Sequence, residues 1–220
     1  MPVPDMLSQN EMRSLKYRCN EKKGGRFLEL GCWLGGSTLA MLPHAGHLIS
    51  VDNFRWATNY MDRLHPGKYQ YNDTFILEYI ENIGGFHENH TILPNGVERM
   101  PHFTEPFDLV FVDGHKNYQG SLISFRKWLA CLRPGALIMD QDFCWSAWAY
   151  APNYMVYYRI REYTEFVQQV DNMVIFKIVK RIPQEVANQV TQIQCGRDNE
   201  EYVDAIAFYG GMIGVERPFS

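Results

Sequence analysis

The feature that most constrains the fold is an alternation of short apolar segments with segments of helical periodicity along most of the chain. Each apolar segment has the length of one buried strand, and the segments between them are typical of helices. This alternation predicts a parallel sheet with helices on both faces. The predicted strands cover residues 27–30, 48–51, 91–93, 107–112, 136–139 and 174–179.

Helices are predicted between these strands and at both ends of the chain. They cover residues 6–19, a segment beginning at Ser37, residues 75–83, 118–132 and 158–169, and one or two terminal helices within 184–209. The sequence Arg133-Pro134-Gly135 is predicted to end the helix at 118–132. We therefore expect an N-terminal helical extension at 1–25, a main domain at 26–182 and a C-terminal helical extension at 183–220.

The composition argues against several classes of protein. A net charge of -4 with no basic run disfavours a nucleic-acid surface, and five widely spaced cysteines without a C-x-x-C pair disfavour a disulfide framework or a thiolate zinc site. No apolar run reaches the roughly 18 residues of a membrane span, and the first residues do not resemble a secretory signal. We therefore expect a cytoplasmic protein that acts on a small molecule, without a nucleic-acid or membrane partner.

A strand that leads into a glycine turn indicates a ligand site. Glu29 lies within the first strand, Gly31 begins the turn, and a helix starts near Ser37. Glycines at the carboxyl end of a parallel strand let the backbone approach a ligand, and helix-start amides face an anion. Asp52 ends the next strand, where an acid would accept the hydroxyls of a ribose. The pattern predicts a nucleoside-bearing ligand, although it is not the G-x-G-x-x-G of nicotinamide enzymes.

A second block of polar residues follows the strand at 107–112, and a third follows the strand at 136–139. They read Asp113-Gly114-His115-Lys116-Asn117-Tyr118 and Asp140-Gln141-Asp142. With these residues in place, the chain resembles the class I S-adenosylmethionine-dependent methyltransferases over about residues 26–180. Within that class it is similar to the O-methyltransferases that include cephalosporin-biosynthesis and macrolide-sugar enzymes, which share a metal-site plan with catechol and caffeoyl-CoA O-methyltransferases.

The resemblance implies a Rossmann-like, seven-stranded, mostly parallel sheet and S-adenosylmethionine as the cofactor. It implies that the turn at 29–37 carries the methionine moiety, with Ser37 on its carboxylate and Asp52 on the ribose. The cofactor-binding residues predicted in this way are Glu29, Gly31, Trp33, Gly35, Ser37, Asp52, Asn53 and Asp113.

Two acids at the ends of adjacent predicted strands suggest a cation site. If the carboxylates of Asp113 and Asp140 converge to about 4 Å, they repel by about 4 kcal/mol at an effective dielectric near 20. Either one of them is protonated or a cation lies between them, and oxygen ligands favour Mg²⁺ over zinc. The third ligand is either the side-chain carbonyl of Gln141 or the carboxylate of Asp142.

The acceptor proton needs a base, for which the sequence offers two candidates. The histidine usual in the family falls at Lys116, and the catechol and caffeoyl-CoA branch has a lysine at that spacing from the first metal aspartate. Lysine has an ordinary pKa near 10.4, so Lys116 needs a nearby cation or desolvation to act as a base. His115 needs no such shift and is the second choice.

These expectations together predict a Mg²⁺-assisted O-methyltransferase acting on a hydroxyl of a sugar or natural-product-like small molecule. The alternatives are a metal-independent methyltransferase of the same fold and a non-catalytic binding or assembly protein that retains the fold. The segment at 53–73 is expected to cover the ligand site, and the apolar terminal helices leave a homo-oligomer open. Four aromatic residues either line the acceptor pocket or simply pack, namely Trp145, Trp148, Tyr150 and Tyr154.

Overall fold

The computed structural model describes residue 3 and residues 6–56, 65–114, 118–141, 143, 147–194 and 199–213. Its strands are β1 (Arg26–Leu30), β2 (His47–Val51), β3 (His90–Leu93), β4 (Phe107–Val112), β5 (Leu132–Asp140), β6 (Thr164–Val170) and β7 (Met173–Ile178). Its α-helices are α1 (Gln9–Glu21), α2 (Gly36–Met41), α3 (Ile76–Asn82), α4 (Tyr118–Trp128), α5 (Ala147–Arg159), α6 (Gln184–Gln189) and α7 (Glu200–Ile213).

The seven strands form one sheet in the order β3-β2-β1-β4-β5-β7-β6. Strands β1 to β5 are parallel, whereas β7 runs antiparallel to both β5 and β6. The predicted fold class is therefore confirmed, with an antiparallel hairpin at one edge. The strand order reverses between β1 and β4, and parallel sheets bind ligands at the carboxyl edge of such a reversal.

The strand register brings the candidate residues to that carboxyl edge. Leu30, the last residue of β1, pairs with Val51 of β2 and with Val112 of β4, and Val112 pairs with Asp140 of β5. The residues that follow these strands consequently leave the sheet side by side. The first turn, Asp52, Asp113 and the end of β5 therefore lie along one edge.

Successive residues of each strand pack on opposite faces of the sheet, as the pleat requires. Phe27 packs in a cluster with side chains of α1 and α2, whereas Leu28 packs in a larger cluster with side chains of α4 to α7. Both flanking helical segments thus contribute to the packing of the sheet. The domain boundaries near residues 25 and 182 stay a prediction.

The predicted leading helix corresponds to α1. Ser8 caps it by accepting a hydrogen bond from the backbone N–H of Glu11, and the Glu11 side chain accepts one from the Ser8 N–H. Ser8 Oγ also donates to Asp171, in the turn between β6 and β7. This contact fixes α1 against the far edge of the sheet.

Two local predictions are wrong. Residues 158–169 do not form a helix, because α5 ends at Arg159 and Thr164–Val170 is strand β6. Pairing with β7 decides this segment, and such long-range pairing overrides a weak helical pattern. The turn Arg133-Pro134-Gly135 lies inside β5, because α4 ends at Trp128 and a 3-10 turn follows it. Among the described helices, none is long and apolar enough to cross a membrane.

Candidate functional site

The turn after β1 and the loop after β4 are in direct backbone contact. Gly31 has a φ of 85°, and a Cβ built on it would lie 2.7 Å from the Cα of Gly114 and 2.8 Å from the carbonyl carbon of Asp113. Glycine at 31 is therefore required by the approach of the chain's own loop, a reason that the sequence does not show. The contact places the predicted cofactor turn beside the predicted acidic loop.

Glu29 is enclosed behind this turn, with no exposed surface. Ser37 Oγ donates to Glu29 Oε1 at 2.6 Å, and Thr38 Oγ1 donates to Oε2 at 2.8 Å. Ser50 Oγ of β2 also donates to Oε2, at 2.6 Å. Burial raises the pKa of Glu29, and the hydroxyl donors partly offset that rise. The carboxyl group ties β1 to the start of α2 and to β2, so it acts on the turn through Ser37 and Thr38.

The network extends to residues that carry no recognisable sequence signal. His90 Nε2 lies 2.9 Å from Ser50 Oγ, and Tyr79 Oη lies 3.2 Å from Thr38 Oγ1. Burial, with smaller contributions from neighbouring histidines, lowers the pKa of His90 to about 4. His90 is therefore neutral at physiological pH. These residues come from β2, β3, α2 and α3, and only the fold brings them together.

Asp52 holds the turn from the other side. Its Oδ2 accepts hydrogen bonds from the backbone N–H groups of Cys32 and Trp33, at 2.9 and 3.1 Å, and its Oδ1 accepts one from Phe54 at 2.7 Å. Burial raises the pKa of Asp52, and these backbone donors lower it in turn. The backbone N–H of Asn53 also contributes to lowering the pKa. The adjacent Asn53 is exposed and accepts a hydrogen bond from the Arg55 N–H.

Trp33 is held in a left-handed backbone conformation with a φ of 41°. Its side chain is largely buried, and its Nε1 makes no hydrogen bond to any residue that the structure describes. The ring lies 5.7 Å from that of His65, at the edge of an aromatic cluster. Gly35, with a φ of 98°, is the N-cap residue that precedes α2, and it lies so close to Ile83 that a Cβ would come within 2.8 Å of that side chain.

Asp140 ends β5 and is almost completely buried. Asn153 Nδ2 donates to Asp140 Oδ2 at 2.8 Å, and Tyr157 Oη donates to the same oxygen at 2.7 Å. Burial, followed by the nearby Asp140 carboxylate, raises the pKa of Tyr157 well above its ordinary value. Sequence reasoning missed both donors, and their signal was weak: a polar and an aromatic residue in an aromatic-rich helix.

The other predicted catalytic and metal residues are only partly described. Asp113 is partly buried, its backbone N–H donates to Leu30 O at 2.8 Å, and the N–H of Gln141 donates to Val112 O at 2.9 Å. Asp113, Asp140 and Gln141 thus follow or end neighbouring strands. Outside the described residues lie the two candidate bases and one candidate metal ligand, namely His115, Lys116 and Asp142.

Metal-binding groups of three or more His, Cys, Asp or Glu side chains do not occur within the described residues. The side chain that contacts Asp140 from α5 is the amide of Asn153, a residue type that such a group does not include. Of the four aromatic residues after β5, Tyr154 is buried, stacks on Phe143 at 4.3 Å and donates to its carbonyl at 2.9 Å. Tyr154 is therefore a packing residue. Trp145 and the side chains of Trp148 and Tyr150 lie outside the part of the chain that the structure describes.

Solved structures similar to this one include methyltransferases for different acceptors. The O-methyltransferase NovP has a TM-score of 0.61 and 14% identity, over 80% of this chain and 82% of that one. CalS11, described as a TDP-rhamnose 3'-O-methyltransferase of calicheamicin biosynthesis, has a TM-score of 0.55 and 11% identity, over 76% of each chain. The N-methyltransferase NodS from Bradyrhizobium japonicum WM9 has a TM-score of 0.52 and 15% identity, over 77% of this chain and 94% of that one. At these identities the likeness shows a shared fold.

A comparison with curated protein sequences gave no significant match. A family model described as "Methyltransferase domain" matches residues 28–143, which is more than half of the chain. The matched segment contains the turn after β1, Asp52, the Asp113 loop and the end of β5. The chain therefore belongs to this methyltransferase family, within the class I S-adenosylmethionine-dependent methyltransferases.

Proposed function

We propose that this methyltransferase transfers a methyl group from S-adenosylmethionine to a hydroxyl of a small molecule, with assistance from Mg²⁺. The observation that carries the proposal is the backbone contact between Gly31 and the Asp113–Gly114 segment. It puts the turn expected to hold the methyl donor beside an acid expected to act on the acceptor. With these roles, donor and acceptor would share one edge of the sheet, as a direct transfer requires.

The residues around the turn fit the cofactor. Asp52 is proposed to accept a ribose hydroxyl beside the turn, and the Trp33 indole is proposed to form one wall of the cofactor site. Ser37, fixed by Glu29 at 2.6 Å, is proposed to hold the methionine carboxylate, with Gly35 and Asn53 completing the contact set. When bound, S-adenosylmethionine supplies an activated methyl group, and the protein contributes alignment that is worth roughly 7–11 kcal/mol.

The oxygen-rich end of β5 fits a hard divalent cation. Asp113 and Asp140 follow and end paired strands, the Asn153 amide contacts Asp140, and Gln141 follows Asp140 in the sequence. Carboxylate and carbonyl oxygens are the ligands that Mg²⁺ prefers. Asp113 and Asp140 would hold it, with either Gln141 or Asp142 as the third ligand. Bound there, the cation would lower the pKa of the acceptor hydroxyl.

The acceptor proton is proposed to leave through Lys116, or through His115 as the second choice. His115 and Lys116 are two and three residues after Asp113 in the sequence. Lys116 gains basicity only if a positive charge or desolvation lowers its pKa, which a cation held by Asp113 would do. Loss of the Lys116 amine should therefore matter most where the cation site is intact.

The choice of a hydroxyl acceptor is supported by the acidic pair and by fold relatives described as O-methyltransferases, one of which acts on a nucleotide sugar. An N-methyltransferase shares the fold, so the fold by itself does not select the acceptor atom. A cation that activates a hydroxyl has no comparable use for an amine, whose neutral form is already nucleophilic. The predicted Asp113–Asp140 pair thus favours oxygen.

Two experiments test the proposal. Isothermal titration with S-adenosylhomocysteine should show binding, and its absence in calorimetry and in thermal shift would refute the cofactor assignment. Turnover should then be compared on hydroxyl compounds and on matched amines, with Mg²⁺ and after chelation. We expect transfer to hydroxyl compounds only and its loss in chelator. Unchanged turnover in chelator would favour the metal-independent alternative, in which the donors Asn153 and Tyr157 suffice to hold Asp140.

A further inference from the structure

Two side chains from one face of α5 hold the Asp140 carboxylate. Asn153 and Tyr157 are four residues apart in the helix, so they project from the same face. Asn153 Nδ2 and Tyr157 Oη both donate to Asp140 Oδ2, at 2.8 and 2.7 Å. Two donors on one oxygen, from groups separated by a helical turn, fix the orientation of the carboxylate plane.

The Tyr157 hydroxyl is itself rigidly placed. Its ring stacks on Phe176 with centroids 4.6 Å apart and meets Phe125 edge-on at 5.5 Å. Asp140, Asn153 and Tyr157 are each at most 3% exposed. A polar group at this depth keeps its geometry because water does not compete for its hydrogen bonds. The carboxylate is therefore preorganised before any ligand arrives.

Asn153 also has a side-chain oxygen whose lack of a partner among the described residues indicates a bound ligand. Its Oδ1 is buried and makes no hydrogen bond within the part of the chain that the structure describes. Leaving a buried acceptor unsatisfied costs about 1–3 kcal/mol. The amide nitrogen and oxygen share one carbon, so Oδ1 lies within about 5 Å of Asp140 Oδ2. An amide oxygen only accepts, so its partner is a hydrogen-bond donor or a cation.

We propose, on the basis of the function proposed above, that Asn153 and Tyr157 belong to the divalent-cation site at the end of β5. Both position the Asp140 carboxylate, and Asn153 offers Oδ1 to the cation directly or through one of its waters. Mg²⁺ retains several waters in protein sites, so a water-mediated contact is ordinary for it. Groups that orient a ligating carboxylate commonly change metal affinity 10–100-fold when they are removed.

The test measures Mn²⁺ binding by electron paramagnetic resonance, in which the signal of free Mn²⁺ disappears on binding. The full chain is titrated with and without S-adenosylhomocysteine, in the wild type and in the variants Asn153→Leu and Tyr157→Phe. The matched control is Tyr154→Phe, which removes a buried hydroxyl from the same helix that donates to the Phe143 carbonyl instead. We expect Mn²⁺ affinity to fall about 10–100-fold in the two test variants and to stay within about twofold in the control.

A purely structural clamp between α5 and β5 predicts a different outcome. In that case both test variants would melt at lower temperature while binding Mn²⁺ as tightly as the wild type, and the proposal would be wrong. Tyr157→Phe removes a single hydroxyl, so it decides the question even if Asn153→Leu does not fold. S-adenosylhomocysteine affinity, measured in parallel, should stay within about twofold in every variant.

The variant Asn153→Asp tests the role of the side-chain oxygen apart from that of the amide N–H donor. It keeps an oxygen at this position but places a second carboxylate beside Asp140, a repulsion that a cation relieves. We expect Mn²⁺ to raise the melting temperature of Asn153→Asp more than that of the wild type. If Asn153→Asp loses Mn²⁺ affinity as Asn153→Leu does, Asn153 is not a ligand and the proposal is overturned on that point.

Failure of the wider function would look different. A wild type that binds S-adenosylhomocysteine but no Mn²⁺ refutes the cation site, and with it this inference, while the methyltransferase assignment stands. A wild type that binds Mn²⁺ but no S-adenosylhomocysteine refutes the proposed function. In that case the Mn²⁺ titrations still decide the roles of Asn153 and Tyr157.

Discussion

Replacing Gly31 by alanine tests whether the contact between the two loops forms the site. The comparison is with Gly84→Ala, because both glycines have nearly the same positive φ, 85° and 83°. A Cβ at Gly84 would meet nothing within 4 Å, whereas a Cβ at Gly31 would meet backbone at 2.7 and 2.8 Å. The two variants therefore share the backbone strain and the entropy change, and they differ only in the collision.

The magnitudes follow from these distances. An alanine in the left-handed region costs roughly 1–2 kcal/mol in either variant. At Gly31 the colliding atoms belong to backbone, so they cannot rotate away, and the loops must separate until the contact reaches at least 3.4 Å. Overpacking of this kind costs about 1–3 kcal/mol, and we expect the upper end of that range. For a chain of this size, about 3 kcal/mol lowers the melting temperature by roughly 6–12 °C.

Thermal unfolding and titration with S-adenosylhomocysteine provide the assay. We expect Gly31→Ala to melt roughly 6–12 °C below Gly84→Ala and to bind S-adenosylhomocysteine at least about tenfold more weakly. Gly84→Ala should bind it within about twofold of the wild type. Equal melting temperatures and equal affinities in the two variants would refute the argument that the Gly31 contact builds the site.

Three further predictions concern the acids. Burial raises the pKa of Glu29 above 4.5. The stability of the wild type relative to Glu29→Gln should therefore be greatest below pH 4.5 and decline as the pH rises through the raised native pKa. Urea unfolding of both proteins across this pH range measures the difference in stability, and a difference that does not change with pH would contradict the prediction. Asp52→Ala should weaken S-adenosylhomocysteine binding about 10–100-fold in calorimetry, because three backbone N–H groups lose a charged acceptor; unchanged affinity would contradict its role. Asp108 accepts hydrogen bonds from the Arg26 N–H and the Arg133 guanidinium near the sheet edge opposite the carboxyl edge. Asp108→Ala should therefore lower the free energy of unfolding by about 1–3 kcal/mol without changing the affinity for S-adenosylhomocysteine. A change in that affinity would contradict a site confined to the carboxyl edge.

Much of the sheet is readable from the sequence, because buried parallel strands are short apolar runs bounded by turns. The runs at 27–30, 48–51 and 107–112 correspond closely to β1, β2 and β4. Residues 164–170 were less readable, because their extended form depends on pairing with β7 and not on a local pattern. The same limit applies to Arg133-Pro134-Gly135. Its local pattern predicts the end of a helix, whereas in the structure these residues belong to strand β5.

The candidate site divides in the same way. Residues that follow a strand, such as Asp52 and Asp113, can be identified because the end of a strand and a polar residue are both visible in sequence. The residues that hydrogen-bond to the site acids cannot be identified in this way. Ser50 and His90 carry no signal of their own and Asn153 only a weak one, because each is an ordinary residue in a strand or helix until another element is placed against it.

The sequence by itself determined the alternation of strands and helices, the glycine turn and the positions of the acids, since these depend on the order of residue types along the chain. Only the tertiary structure decided the strand order, the contact of Gly31 with the Asp113 loop, the burial of Glu29 and the two donors on Asp140. These features depend on distances between segments far apart in the chain, which are set by how apolar faces pack and how buried polar groups find partners.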